Sequence, residues 1–182
     1  MTEATSAPRI KPLSQEEAAN LLGEGTRPLN IFLTLAKNEG LSTGFMQLGG
    51  YLLGRNFTVP RREREIVILR VGWRSGSDYE FGQHTVIGRR VGLTDEEIAR
   101  LATESLGGWS DADAALVAMS DELCADNVVG DDTWARLSTR WSEQQLLDLI
   151  VLAGFYRLVS GFLRSVGVQR EPETPGWPGE AA

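Results

Sequence analysis

The hydrophobic and polar positions along the chain follow a helical period in most segments. Apolar residues recur three and four positions apart in stretches such as NIFLTLAKN, STGFMQLGGYLLG and EQQLLDLIVLAGFYRLVSGFLRSVG, a spacing that places them on one face of a helix. Between these stretches there is no alternation typical of a strand and no hairpin turn signal. The pattern therefore predicts an all-α protein of eight or nine helices.

Short polar motifs indicate where several of these helices begin and end. Ser14 with Glu17, and Thr94 with Glu97, have the spacing of a capping box, in which each side chain bonds the other residue's backbone N–H. Pro60 precedes a charged turn and an apolar body, which predicts a helix over about 60–74. A second helix is predicted over 78–91, ended by the glycine that follows.

Composition divides the chain into three parts. Residues 1–12 contain two prolines and few large apolar side chains, which predicts a flexible N-terminal arm. Residues 13–169 form the single helical domain. Residues 170–182 are rich in proline and glycine, which predicts an extended C-terminal tail. Two interpretations of this tail are open: it is disordered, or it clasps a neighbouring subunit, for which Trp177 offers an apolar anchor.

Charge and cysteine content narrow the classes of function. The chain has 182 residues and a net charge of -7, which argues against binding to a nucleic-acid backbone or an anionic membrane. The only cysteine, Cys124, cannot form an intrachain disulfide. The N-terminal residues show no apolar signal segment, and the longest apolar run is too short to span a bilayer. We expect a cytoplasmic protein.

The only histidine in the chain lies in a polar group with helical spacing. Ser77, Glu80 and His84 are three and four residues apart, so they share one face of the 78–91 helix. One interpretation is an exposed ion pair of little consequence. The other is a buried proton-transfer pair, in which the carboxylate holds the imidazole and raises its pKa. Glu65, at the start of the apolar run of the preceding helix, is a candidate second carboxylate.

Residues 60–101, PRREREIVILRVGWRSGSDYEFGQHTVIGRRVGLTDEEIARL, resemble the carboxymuconolactone decarboxylase family, which includes the AhpD-like alkylhydroperoxidases. The resemblance implies an all-α, AhpD-like fold built around a central helix pair. It also implies assembly into homo-oligomers, trimers or hexamers, with active sites near subunit contacts.

The sequence departs from the peroxidase branch of this family. That branch carries Glu, Cys-x-x-Cys and His, and Glu65 and His84 match its outer positions, but the two cysteine positions are Ser77 and Glu80. Neither residue can form a disulfide or a thiolate. The chain therefore resembles the decarboxylase-like branch that lacks the Cys-x-x-Cys motif.

This branch implies a cofactor-independent lyase that acts on a small lactone or oxygenated carboxylic acid by general acid–base catalysis. His84 is the expected acid, with Glu80 or Glu65 orienting it or acting as the base. Tyr79 or Ser77 is expected to donate a hydrogen bond to the developing oxyanion.

Two further residues are candidates for substrate binding, and three alternatives stay open. Trp73 is expected to line the site and Arg74 to bind a substrate carboxylate, without a metal or organic cofactor. The alternatives are an AhpD-like peroxidase or disulfide reductase that recruits Cys124, a non-catalytic scaffold or ligand-binding protein, and a metal site formed by the Glu and His side chains.

Overall fold

The described part of the chain is entirely helical. A computed structural model describes residues 7–22, 28–105 and 107–180, and within these ranges it contains nine α-helices and no strand. They are α1 (Gln15–Leu22), α2 (Asn30–Leu35), α3 (Glu39–Leu52), α4 (Arg61–Arg74), α5 (Asp78–Arg90), α6 (Asp95–Leu101), α7 (Asp111–Asp126), α8 (Asp131–Ser138) and α9 (Glu143–Val166). The predicted all-α class is confirmed.

Helix α4 is the centre of the core. It packs against α5, α7 and α9, and every residue from Arg64 to Gly72 is buried. A helix surrounded in this way is apolar on most of its faces rather than on one, which explains the unbroken run IVIL in its sequence. Its buried charged residues, Arg64, Glu65 and Arg70, are paired. The helix begins after Pro60 at its N-cap.

The predicted central pair is formed by α4 and α5, joined by a tight turn. Gly76 has a φ of 66°, in the left-handed region that glycine occupies without steric cost, and it reverses the chain between the two helices. Ser77 then caps α5, its side chain accepting a hydrogen bond from the backbone N–H of Glu80. This short connection places the N-terminal half of α5 beside α4.

Helix α9 is the longest element and is largely a core helix. It has the length and apolar composition of a membrane span, and 56% of its most apolar 18-residue window is buried inside the protein. A capping box of Ser142 and Gln145 starts it, and Gly167 in the left-handed conformation ends it. One face of α9 nevertheless lies on the surface.

Both terminal segments contact the helical domain where the structure describes them. The backbone N–H of Arg9 donates to the Val166 carbonyl over 2.8 Å. The tail folds onto α5 of its own chain: Trp177 packs against Phe81 with ring centroids 5.1 Å apart, and Glu171 accepts a hydrogen bond from the Asn30 N–H over 2.7 Å. The tail residues that would clasp another subunit are thus engaged within this chain.

Candidate active site

A cavity of about 310 Å³ opens beside the N-terminal half of α5. Its walls come from α2, α3, α5 and α9 and are mostly aliphatic or aromatic. Most of its polar groups come from one side, where α5 supplies Tyr79, Glu80, Gln83 and His84, and α9 adds the hydroxyl of Tyr156. The remaining lining residues are Leu29, Ile31, Phe32, Phe45, Met46, Gly49, Gly50, Leu53, Ile87, Phe155, Tyr156 and Val159.

At the polar side of the cavity, the imidazole of His84 lies between two carboxylates. Its Nδ1 is 2.5 Å from Oε2 of Glu65 on α4, and its Nε2 is 3.1 Å from Oε1 of Glu80, one turn earlier on α5. All three side chains are buried. The structure therefore brings together the three residues predicted as catalytic, two of which, Glu80 and His84, line the cavity.

The two carboxylates decide the charge of the imidazole. Burial by itself lowers the pKa of His84, but the charges of Glu65 and Glu80 and their hydrogen bonds outweigh burial and raise this pKa to about 10. At neutral pH the ring is consequently an imidazolium, with an N–H directed at each carboxylate. The alternative of an exposed ion pair does not fit this buried geometry.

A fourth charged group, Arg64, contacts this cluster but does not line the cavity. Arg64 is buried, and its Nε donates to Oε1 of Glu65 over 3.2 Å. The side chain also donates to the Leu52 carbonyl over 3.5 Å. With this arginine included, two positive groups face two negative groups, so the cluster balances its charge without help from the cavity.

Tyr156 is a cavity residue that the sequence interpretation missed. It lies on α9, is buried, and sets its ring perpendicular to that of His84 with centroids 5.0 Å apart. Burial, followed by the charges of Glu80 and Glu65, raises the pKa of Tyr156 well above its usual value. The phenol therefore keeps its proton and can serve as a hydrogen-bond donor.

Tyr79 and Gln83 are held by the C-terminal tail. The Tyr79 hydroxyl donates to Oε1 of Glu171 over 3.0 Å and accepts from the Ile31 N–H over 3.4 Å. Gln83 donates to Glu171 and to the Thr174 hydroxyl. The Tyr79 ring forms part of the cavity wall, but its hydroxyl is committed to the tail rather than aimed at a substrate.

Three residues predicted to bind substrate lie outside the cavity. Ser77 is fully buried as the cap of α5. Arg74 pairs with Asp121 over 2.7 Å and with Glu104 over 2.8 Å. Trp73 stacks beside Arg74, whose Cζ is 5.0 Å from the ring centroid. These three residues are not part of the proposed site, because each one packs or forms an ion pair outside the cavity.

The described residues hold no cysteine at the cavity and no group of three or more His, Cys, Asp and Glu side chains suited to a metal ion. Cys124 lies on α7 beside Arg74 and Asp121, in a separate surface hollow. Burial raises the pKa of its thiol, which disfavours the reactive thiolate.

Comparisons with known proteins agree with this architecture. Residues 39–121 match the carboxymuconolactone decarboxylase family. No curated protein sequence matches the chain closely enough to count as a relative.

Several solved structures share the fold at low sequence identity. The debrominase Bmp8, crystallised as a cysteine-to-alanine variant with 2,3,4-tribromopyrrole, is 16% identical with a TM-score of 0.77, covering 93% of this chain and 95% of that one. An alkylhydroperoxidase AhpD core protein from Ralstonia eutropha is 18% identical with a TM-score of 0.73, covering 87% and 84%. An AhpD-related protein of unknown function from Agrobacterium tumefaciens is 18% identical with a TM-score of 0.69, covering 76% and 95%.

At these identities the structural likeness concerns the fold, while the family match covers the segment that carries Glu65, Glu80 and His84. Residues 39–121 thus match the carboxymuconolactone decarboxylase family, and the described part of the chain has an AhpD-like fold.

Proposed function

We propose that this protein is a cofactor-independent enzyme that moves a proton to or from a small oxygenated substrate, in a lyase or isomerase reaction. The observation that carries the proposal is the buried imidazole held between carboxylates from two helices at the wall of a mostly apolar cavity. Buried ionisable groups of this kind with perturbed pKa values are typical of catalytic sites.

In this proposal Glu80 and His84 meet the substrate. The Glu80 carboxylate takes a proton from an acidic C–H or O–H of the substrate, and the neighbouring imidazolium stabilises the charge that develops. In the protonating direction, Nε2 of His84 passes its proton over 3.1 Å to Glu80, which delivers it to the substrate, and the imidazole takes up a proton from solvent before the next turnover. The two residues thus act as one acid–base unit.

Glu65 acts through His84, because it is fully buried and does not line the cavity. Its short contact with Nδ1 fixes the orientation of the ring and keeps a proton on that nitrogen. We therefore assign Glu65 as a positioning residue. Tyr156 is the candidate donor to a developing oxyanion, since it keeps its proton and lines the same cavity.

The apolar walls contribute to the same chemistry. Aromatic and aliphatic side chains exclude water from the cavity, so charges that appear on the substrate are screened less by solvent. The enolate-like charge left by proton abstraction would be stabilised by the imidazolium and the Tyr156 phenol.

The AhpD-like alternative has less support from the residues present. Thiol chemistry needs a reactive thiolate at the cavity, where Glu80 takes the place of one of the two family cysteines. Cys124 lies in another hollow, with a raised thiol pKa. The debrominase shows that the fold supports an enzyme with a small ring compound as ligand, which suits a cavity of this size.

A proton-exchange assay tests the proposal without knowledge of the natural substrate. Small lactones and enolisable ketones, including α-angelica lactone, are incubated with the protein in D₂O, and deuterium incorporation or double-bond migration is followed by NMR. We expect His84→Gln and Glu80→Gln each to slow the reaction by about 100-fold or more. Cys124→Ser is the control and should keep the wild-type rate. Full activity of the His84→Gln variant, or no exchange with any compound, would contradict the proposal.

A further inference from the structure

We infer that the cavity takes an uncharged, mainly apolar substrate and discriminates against carboxylates. The inference deepens the proposed function and rests on it for the identity of the site. It departs from the expectation of a carboxylic acid substrate, which relied on Arg74 as the binding cation.

The size of the cavity sets the size of the substrate. A cavity of about 150 Å³ holds one benzene ring, so a volume of about 310 Å³ accommodates a compact molecule of roughly one or two rings. Leu29, Phe32, Phe45, Ile87 and Phe155 are among the walls that such a molecule would contact. Contacts of this kind favour planar rings through apolar burial and aromatic packing.

The two positive groups at the polar wall of the cavity, His84 and Arg64, are already paired. Among its described lining residues the cavity has no arginine or lysine. His84 lies between Glu65 and Glu80, and Arg64, which is outside the lining, donates to Glu65. A substrate carboxylate would therefore lose its water without gaining a partner, and it would stand beside the Glu80 carboxylate. Burying an unpaired charge in this way is strongly unfavourable.

Arg74 cannot supply the missing cation. Both of its carboxylate partners, Asp121 and Glu104, lie away from the cavity, and Asp121 also receives two hydrogen bonds from the fully buried Arg70. Drawing Arg74 toward a substrate would break this network. Although burial opposes it, Arg74 and Arg70 hold the pKa of Asp121 below its usual value, so the carboxylate stays charged and keeps both arginines.

An exposed arginine does lie in a neighbouring hollow. Arg90 lines a more polar depression that shares Leu29, Gln83 and Ile87 with the cavity and is bordered by Glu171. A ligand carboxylate bound there would lie outside the apolar cavity and away from Glu80. The experiment must therefore distinguish carboxylate binding in this hollow from carboxylate binding in the cavity.

Matched pairs of small ligands test the inference directly. Coumarin is compared with coumarin-3-carboxylate, and indole with indole-3-carboxylate, by isothermal titration calorimetry at pH 7.5. Each pair differs only by an ionised carboxyl group. We expect the neutral member of at least one pair to bind, and to bind at least about tenfold more tightly than its carboxylate, because the carboxylate has no partner in the cavity.

Two variants of α3 show whether the neutral compounds bind in the cavity. Gly50 lines the cavity and Gly44 does not, and an added Cβ would meet no atom within 4 Å at either position. Gly50→Phe should fill the cavity mouth and weaken binding of the neutral compound, whereas Gly44→Phe should leave it unchanged.

Adding a cation at the rim should reverse the preference. Met46 lines the cavity and is 50% exposed, so a lysine fits there at little cost to folding. Met46→Lys should raise the affinity for the carboxylates by about tenfold, as expected for pairing a partly buried charge, whereas the uncharged control Met46→Gln should not.

Two results would overturn the inference. The first is equal or tighter binding of the carboxylates that persists in the Arg90→Gln variant, and the second is binding of neither neutral compound. Carboxylate binding that Arg90→Gln abolishes would support the inference, because the anion would then lie in the neighbouring hollow and not in the cavity. Binding is measured without turnover, so a failed exchange assay with the ligand preference intact would count against the catalytic proposal alone.

Discussion

His84 is the only histidine in the chain, so its protonation can be observed without assignment of other imidazoles. In protein without a histidine tag, the Cε1 proton gives a single resonance whose shift follows the titration. We predict that the ring stays protonated at pH 8, because Glu65 and Glu80 raise the pKa to about 10. A midpoint near 6.5, the ordinary value for histidine, would contradict the buried arrangement.

The same titration predicts how stability depends on pH. Between pH about 6.5 and 10 the folded protein holds a proton on His84 that the unfolded chain has released. The free energy of unfolding should therefore fall as pH rises through this window, by at most about 1.4 kcal/mol per pH unit from this group. Urea unfolding at several pH values measures the slope. The free energy of unfolding of the His84→Gln variant should depend less steeply on pH. A dependence as steep as that of the wild-type protein would show that other groups cause it.

The roles of Glu65 and Glu80 can be distinguished by how the replacement of each residue changes kcat and KM. Glu65→Gln removes one of the two charges that hold the imidazolium, so we predict a lower His84 pKa by NMR and a lower kcat. KM should change little, because Glu65 does not line the cavity. Glu80→Gln is the matched comparison, since it removes the charge at the cavity wall and should affect the chemical step more severely. A larger loss of kcat in the Glu65 variant would reverse the two roles.

Spacing along one helix was enough to predict part of this site. Glu80 and His84 are neighbours on α5 because they are four residues apart. Glu65 joins them only through the packing of α4 on α5; its position at the edge of an apolar run made it a candidate, and the family resemblance then matched it. Tyr156 comes from α9, far away in sequence, and no local pattern indicates it. Arg74 was misplaced because the sequence does not reveal Asp121, which binds it from α7.

At the level of elements, local signals predicted helix boundaries well. The capping boxes of Ser14 with Glu17 and Thr94 with Glu97 are both present, because these motifs involve only neighbouring backbone groups. The path of the C-terminal tail was not predictable in this way. Its position depends on partners about 90 residues away, since Glu171 binds Tyr79 and Gln83.

The tail can be displaced by a single methyl group. A Cβ at Gly82 would lie 2.1 Å from the Pro175 carbonyl oxygen and 2.8 Å from Cγ2 of Thr174, a clash that the backbone must relieve by moving. We predict that Gly82→Ala lowers the free energy of unfolding by about 1–3 kcal/mol and frees the tail. Faster tryptic cleavage after Arg170, followed by mass spectrometry, measures the release.

The control for this prediction is Gly44→Ala, a change of the same size on another helix. Gly44 has open space around its Cβ position, so alanine there should be neutral or slightly stabilising, by up to about 1 kcal/mol. Equal cleavage of the tail in both variants would mean that the tail is not held by its contact with Gly82.

At the scale of the whole molecule, α9 presents an apolar stripe to solvent. Leu147, Val151 and Leu158 are exposed by 67%, 46% and 60%, and they alternate with the exposed Gly154 and Gly161. The spacing of four and three residues is that of a coiled-coil seam, with glycines that allow close approach. Helix α3 also has exposed apolar side chains, Leu41 and Leu48.

We predict that this stripe joins copies of the chain into the trimer or hexamer that the family resemblance implies. A contiguous apolar stripe on a charged protein is costly to leave in water, and an identical chain offers the same α9 face as a complement. Leu158→Glu should convert the oligomer to monomers that keep their helical circular dichroism, measured by light scattering after gel filtration. Val128→Glu is the matched control, since Val128 is 61% exposed but lies outside the stripe. A monomeric wild-type protein, or equal dissociation in both variants, would contradict the prediction that the α9 stripe forms the contact between subunits.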